Sequence, residues 1–180
     1  MRIKAQLMDE GGVRRALIRI AHEILERNKG AQDICLVGIR RRGEVIAQRI
    51  AQNIRDIEGV EVPCGDLDIS FYRDDLSKIS DSPVVKKAEL PFSIIGKKVI
   101  IVDDVLYTGR TCRAAIEAIF SLGRPKKIEL AVLIDRGHRE LPFRADFVGK
   151  SIPTSGDEMV SVMLPPFDEV TSVVICDKQA

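Results

Sequence analysis

The residues best suited to chemistry in this chain are two adjacent carboxylates and the turn that follows them, Asp103-Asp104-Val105-Leu106-Tyr107-Thr108-Gly109-Arg110-Thr111. Gly109 lets the backbone approach an anion closely, and a helix opening after it offers unpaired N–H groups and the positive end of its dipole. Thr108 and Thr111 add hydroxyl donors and Arg110 adds charge, which makes a cradle for a monophosphate. Asp103 and Asp104 cannot bind phosphate, but carboxylates suit ribose hydroxyls or a hydrated magnesium ion. A phosphate cradle beside a diol-binding pair describes a ribose 5-phosphate site. One alternative is an acidic pair that only caps a helix. Another is the acidic strand end of a nucleoside triphosphatase, and it fails because no G-x-x-x-x-G-K-[ST] string occurs in the chain.

Positioning these residues takes a strand before them and a helix after them. Val99-Ile100-Ile101-Val102 is apolar and β-branched, as in a buried strand of a parallel sheet, and ends at the acidic pair. Cys112 to Phe120 has helical apolar spacing, and the helix stops after Leu122 at Gly123-Arg124-Pro125. Ligands of open α/β sheets bind beyond the carboxyl ends of strands, where the pair and the turn lie. A second strand, Ile34 to Ile39, leads into Arg40-Arg41-Arg42-Gly43 and a helix from Glu44 to about Ile57. Three arginines at a strand's carboxyl end suit the oxygens of a diphosphate.

The remaining segments continue the α/β pattern. Asp9 caps a helix with an apolar stripe of Val13, Ala16, Leu17, Ile20, Ala21, Ile24 and Leu25, stopped at Gly30. Its other face carries Arg14, Arg15, Arg19, His22 and Arg27 among glutamates; such a face is ordinarily solvated but is compatible with RNA phosphates. Asp66 to Phe71 alternates as a strand, and Tyr72 to Leu90 is a long polar connection without periodicity, hence functional or disordered. Ile128 to Ile134 is a further buried strand ending at Asp135-Arg136-Gly137-His138-Arg139. Phe147 to Lys150, Met159 to Leu164 and Val170 to Cys176 read as shorter strands.

Composition sets bounds. With 45% hydrophobic and 31% charged residues, 180 residues suit one globular domain over 1–180. No apolar run approaches a membrane span and the first residues hold no apolar signal core, so a cytoplasmic protein is expected. The four cysteines are scattered without a C-x-x-C pair, which argues against a disulfide framework or a zinc site. Net charge is +1 overall, but residues 1–60 carry +4 and the remainder −3, which permits a basic face.

Val99 to Thr111 resembles the phosphoribosyl-pyrophosphate (PRPP) signature of type I phosphoribosyltransferases. Together with Leu67-Asp68-Ile69-Ser70-Phe71-Tyr72-Arg73-Asp74-Asp75-Leu76 and Asp135-Arg136-Gly137-His138-Arg139-Glu140-Leu141-Pro142, it resembles one branch over nearly the whole chain. That branch is the bacterial pyrimidine-operon attenuation regulators that are also uracil phosphoribosyltransferases. The resemblance implies a type I phosphoribosyltransferase fold: a mainly parallel twisted sheet flanked by helices, a mobile loop over about 72–90, and a small hood largely from the C-terminal third. It implies transfer of ribose 5-phosphate from PRPP to uracil, giving UMP and pyrophosphate. In that reading Asp103 and Asp104 hold the ribose diol and Val105 to Thr111 bind PRPP. Arg40, Arg41 and Arg42 hold pyrophosphate, and Arg73 joins them when the loop closes. Magnesium is held mainly by PRPP, with Asp103 and Asp104 as the candidate protein contacts.

The base follows partly from Tyr107. Purine-salvage members of the family place an Asp before the Thr-Gly of this motif, near the purine N7; a tyrosine, with an unperturbed pKa of about 10, is a poor base there. The resemblance assigns uracil recognition to Arg136, Gly137, His138 and Val160. It also implies leader-mRNA binding, promoted by a uridine nucleotide (UMP or UTP), with Arg14, Arg15, Arg19, His22, Arg27, Arg144 and Lys150, and also His138, as candidate contacts, and a homo-oligomer, dimeric or larger. Two positions depart from the branch: Ile18 replaces a threonine of the first helix and Arg41 a threonine of the basic loop.

Overall fold

The structure, a computed structural model, describes residues 2–70, 72 and 88–177. In chain order its elements are β1 (Arg2–Met8), α1 (Glu10–Asn28), β2 (Ile34–Ile39), α2 (Arg42–Glu58), β3 (Cys64–Leu67), β4 (Lys98–Leu106), α3 (Arg110–Leu122), β5 (Lys127–Asp135), β6 (Phe147–Ser151), β7 (Glu158–Met163) and β8 (Ser172–Asp177). Most of the expected loop over 72–90, including Arg73, lies outside the described residues. No described helix is long and apolar enough to cross a membrane.

Five strands form a parallel sheet in the order β3-β2-β4-β5-β6. Their alternation decides which helix covers which face. Ile34 and Leu36 of β2 and Ile100 and Val102 of β4 pack with the buried stripes of α1 and α2. Cys35, Val37, Val99 and Ile101 face the other way, onto Ala114, Ala115, Ala118 and Ile119 of α3. A strand buried on both faces reads as a continuous apolar run, as these do. α1 follows its sequence signals: the Asp9 side chain accepts from the Gly12 N–H at 2.7 Å, and left-handed Lys29 ends the helix just before Gly30.

From β2 the chain crosses through α2 to β3 on one side, then returns to place β4 on the other side and moves outward to β5 and β6. The winding direction thus reverses between β2 and β4, and the crevice beyond their carboxyl ends is the expected ligand site. Glycines bring α2 close to this point. A Cβ on Gly43 would lie 2.5 Å from the Val102 carbonyl oxygen, and one on Gly38 would lie 2.5 Å from the Glu44 Cα. Any side chain there would push the start of α2 off the sheet.

Three boundaries differ from the sequence expectation. β4 does not stop at Val102 but runs through the acidic pair to Leu106, because β5 continues to pair with it up to Leu106↔Asp135. α2 opens at Arg42 rather than Glu44, and β3 is the short stretch Cys64–Leu67 rather than Asp66 to Phe71. The second sheet, β1-β8-β7, takes two strands from the C-terminal third and its third from the N-terminus. β1 was missed although Ile3, Ala5 and Leu7 alternate with Arg2, Lys4 and Gln6: the strand is short, mostly exposed, and pairs only with the distant β8.

Candidate active site

β2 pairs with β4 only as far as Gly38↔Val102, so beyond that point β4 has a neighbour on one side alone. Asp103 and Asp104 occupy this overhanging part. Both are half-buried, and each turns an oxygen onto the next backbone N–H: Asp104 N donates to Asp103 Oδ1 and Val105 N to Asp104 Oδ1, both at 2.9 Å. These bonds fix the carboxylates without neutralising them. The open side borders a cleft of about 490 Å³ lined by Arg40, Arg41, Asp68, Ser70, Asp103, Asp104 and Thr111.

The three arginines separate. Arg41 is exposed and lines the cleft. Arg40 lines it too, but its guanidinium is bonded to Asp66, with Asp68 at 3.7 Å; the Asp66 hydrogen bond raises its pKa further. Arg42 points elsewhere. Its guanidinium grips Asp168 through bonds of 3.0–3.2 Å, and Asp168 also accepts from the Leu164 N–H at 2.8 Å. Arg42, expected beside the diphosphate, is the first residue of α2 and here fastens the helix to the segment after β7. Asp66 and Asp68, the partners of Arg40, were missed as site residues. The available signal was their place at the carboxyl end of the strand beside β2, Asp66 within β3 and Asp68 one residue beyond it.

The Thr108–Thr111 turn sits at the N-terminus of α3. Gly109 adopts φ +95°, a conformation that disfavours any side chain, and the Arg110 N–H donates to Thr108 Oγ1 at 3.3 Å. The turn lines a recess of about 300 Å³ with Val105, Leu106, Tyr107 and Asp103. Arg110 is drawn outward to Glu140, with Nε donating to Oε2 at 2.8 Å. The turn therefore offers its backbone and hydroxyls more than a free cation.

Beside the turn lies a corner built from the loop after β5. The Arg136 guanidinium lies 4.1 Å from the Tyr107 ring centroid, and the His138 ring meets Tyr107 edge-on at 5.9 Å. His138 Nε2 lies 2.6 Å from the Thr154 carbonyl, which only accepts, so Nε2 carries the hydrogen and is not a free base. Gly137 and His138 both have positive φ, and Arg139 braces the loop through Asp135 Oδ2 at 2.6 Å and the Tyr107 carbonyl at 2.9 Å. Val160 is buried in β7 within the core shared with α1 and α2 and presents little surface.

Comparison with known proteins decides the family. Residues 5–163 match the phosphoribosyl transferase domain. A protein of Pelotomaculum thermopropionicum called bifunctional protein PyrR is 61% identical over 98% of this chain and 97% of its own, and one of Clostridioides difficile with the same name is 59% identical over 96% and 97%. This chain belongs to the PyrR phosphoribosyltransferases. The fold agrees: a hypoxanthine phosphoribosyltransferase of Trypanosoma cruzi, in complex with the product IMP, superposes with a TM-score of 0.75 at 21% identity, covering 98% of this chain and 92% of its own. One of Staphylococcus aureus superposes with a TM-score of 0.72 at 22% identity, covering 96% and 92%.

In this PyrR phosphoribosyltransferase the candidate RNA residues fall into two groups. Arg15, Arg19 and Lys150 line one groove of about 660 Å³ between β1, α1 and β6. Arg19 donates to Glu23 and to the carbonyls of Val148 and Gly149, and Lys150 donates to the Leu7 carbonyl at 3.2 Å. Arg14 and His22 are exposed on the same helix, as is Ile18. Arg27 differs, because it pairs with Glu129 and Asp146 at 3.0 Å each and lies over the Phe147 ring. Arg144 is exposed in the loop before β6 and is not among the groove-lining residues.

Proposed function

We propose that this protein transfers ribose 5-phosphate from PRPP to uracil, forming UMP, and uses the same pocket to regulate its binding to leader mRNA of pyrimidine genes. The observation that carries the catalytic reading is the acidic pair on the overhang of β4, facing Arg41 and joined to the Thr108–Thr111 turn. In the reaction uracil N1 bonds to the anomeric carbon as the C–O bond to pyrophosphate breaks, and the N1 proton is released. The breaking bond leaves positive charge on the sugar, so the site must hold phosphate, diol and diphosphate in one geometry. Thr108, Thr111 and the N–H groups opening α3 hold the 5-phosphate. Asp103 and Asp104 hold the ribose diol, and Arg41 with Arg40 receives the diphosphate. The Tyr107–His138 corner takes the base, with loop backbone as the reader of a pyrimidine edge. Arg73, proposed for the diphosphate, lies outside the described residues.

Magnesium fits this donor set. No three His, Cys, Asp or Glu side chains converge on one point among the described residues. Magnesium prefers one or two carboxylates plus substrate phosphates to an all-protein cage, and Asp103 and Asp104 supply that pair. When bound with PRPP it neutralises charge on the leaving pyrophosphate. The test is UMP formation from uracil and PRPP with magnesium. Wild-type protein should make UMP, and a wild type that makes none sinks the catalytic reading.

The regulatory reading rests on the groove that gathers Arg15, Arg19 and Lys150. Contacts through phosphate charge weaken steeply with salt. Filter binding should show leader RNA held more tightly with UMP and less tightly after Arg19→Ala or Lys150→Ala. Equal binding of unrelated RNA, indifferent to UMP and to both substitutions, defeats it. We propose further that the protein works in the cytoplasm as a dimer or larger oligomer; multi-angle light scattering of the pure protein should give at least twice the 20.0 kDa chain mass, and a monomer mass defeats the oligomer.

A further inference from the structure

Resting on the assignment of the base to the corner beside Tyr107, we propose that Arg136 is a positioning residue. It holds the Tyr107 ring and the hood segment 154–158 in register, and so sets affinity on the base side of the pocket while leaving the phosphate side alone. Arg136 is the one buried cation among the described residues, 4% exposed. A buried guanidinium needs hydrogen-bond acceptors, and those of Nε and Nη2 are internal. Nε donates to Thr154 Oγ1 at 3.1 Å and Nη2 to the Glu158 carbonyl at 2.8 Å, while Thr154 Oγ1 returns a bond to the Arg136 carbonyl at 3.3 Å. The plane that remains lies against Tyr107.

This geometry commits Nε, Nη2 and one face of the guanidinium to the protein itself and gives Arg136 a positioning task. Tyr107 stands directly before Thr108, at the joint between the base corner and the phosphate turn. Its ring orientation is set by the cation beside it, while its backbone is pinned separately by Arg139. The hood end of the link is anchored in turn. Lys4 of β1 donates to Glu158 Oε1 at 2.6 Å, and Glu158 Oε2 accepts from the Ser155 N–H at 2.9 Å. A cation–π contact in a desolvated place is strong, and only the planar guanidinium can stack and bond through its fork at once.

Arg136→Lys keeps the charge and loses the plane and the fork. The chain has two tyrosines and no tryptophan, so Tyr72→Phe leaves Tyr107 as the sole emitter. In that background UMP is titrated against tyrosine emission. Arg136→Lys should raise both the half-saturating UMP concentration and the KM for uracil by about tenfold, with the KM for PRPP within about twofold of the parent. Thr154→Val, a near-isosteric change that removes the Nε acceptor and the bond Thr154 Oγ1 returns to the Arg136 carbonyl, should move the same two quantities by about threefold. In a Tyr107→Leu background, Arg136→Lys should add no further rise in uracil KM.

A folded Arg136→Lys variant with unchanged UMP half-saturation and uracil KM overturns the assignment, as does an equal rise in the KM of both substrates. Should Arg136→Lys fail to fold, an unchanged Thr154→Val variant overturns it. The catalytic reading fails separately, by a wild type that makes no UMP, and the emission titration still decides the role of Arg136 in that event.

Discussion

The two ends of the parallel sheet handle charge in opposite ways. At the amino end, Glu129 of β5 is almost wholly buried and saturated. It accepts from Asn28 Nδ2 at 2.8 Å, pairs with Arg27 at 3.0 Å and with Lys127 at 2.6 Å, while Asn28 is itself tied back to α1. At the carboxyl end, Asp103 and Asp104 are half-buried beside a cleft, and Arg41 is exposed across it. One end uses ionisable groups to fasten α1 to the sheet. The other places them along a cleft, where the proposed ligand would meet them.

Substitutions at the two ends should therefore part activity from stability. The largest effect expected is on catalysis: Asp103→Asn with Asp104→Asn should lower UMP formation by about a hundredfold or more with little change in melting temperature. A matching collapse of the melting temperature would make the pair a structural element like Glu129. At the other end, Glu129→Ala should cost roughly 2–4 kcal/mol in urea denaturation and leave activity per folded molecule unchanged. Arg27→Ala belongs with it: a loss of RNA binding there should be accompanied by a loss of stability, whereas Lys150→Ala should separate the two.

Asp168 gives a smaller, pH-dependent effect that lies between the ends. Burial pushes its carboxyl up, but the Arg42 guanidinium and the Leu164 N–H outweigh burial and hold it below the usual carboxylate range. A depressed carboxyl adds stability above its unfolded pKa and loses it as pH falls through the folded value. Urea-denaturation midpoints of Asp168→Asn should accordingly fall less as pH drops below the unfolded carboxylate range of about 4 than those of the parent. The smallest signal is chemical. All four cysteines are free thiols, and burial pushes Cys35 and Cys64 to about 11 and Cys112 to about 12, the last assisted by nearby Asp103. Alkylation of these three at pH 8 should be slow in the native protein and fast in urea. Asp103→Asn should ease the reaction at Cys112 slightly.

The same division explains what the sequence disclosed. Buried strands and helix stripes were legible because periodicity reports burial, and Asp9, Gly30 and Gly109 mark their own turns. The phosphate turn was legible because it is contiguous. Pairings between distant segments were not: Arg40, Arg41 and Arg42 are indistinguishable in a string, yet Asp66 and Asp168 send them in different directions. Arg136 was assigned to the base by resemblance alone, and only Thr154 and Glu158, some twenty residues on, reveal that its side chain is buried against the hood. The extent of β4 was hidden for a related reason, since acidic residues disfavour strands and only pairing with β5 carries it past Val102.

The pairing of Arg2 with Asp177 in β1 and β8 has a consequence for the order of assembly. Synthesis delivers β1 well before β8, so the three-stranded sheet must wait for β8, whereas the five-stranded sheet is complete once Ser151 has emerged. A nascent polypeptide thus has the acidic pair, the Thr108–Thr111 turn and the Tyr107–His138 corner before the sheet that backs segment 154–158 exists. The partners of Arg136 at Thr154 and Glu158 are fixed by a single late closure, when β8 joins β1 and β7.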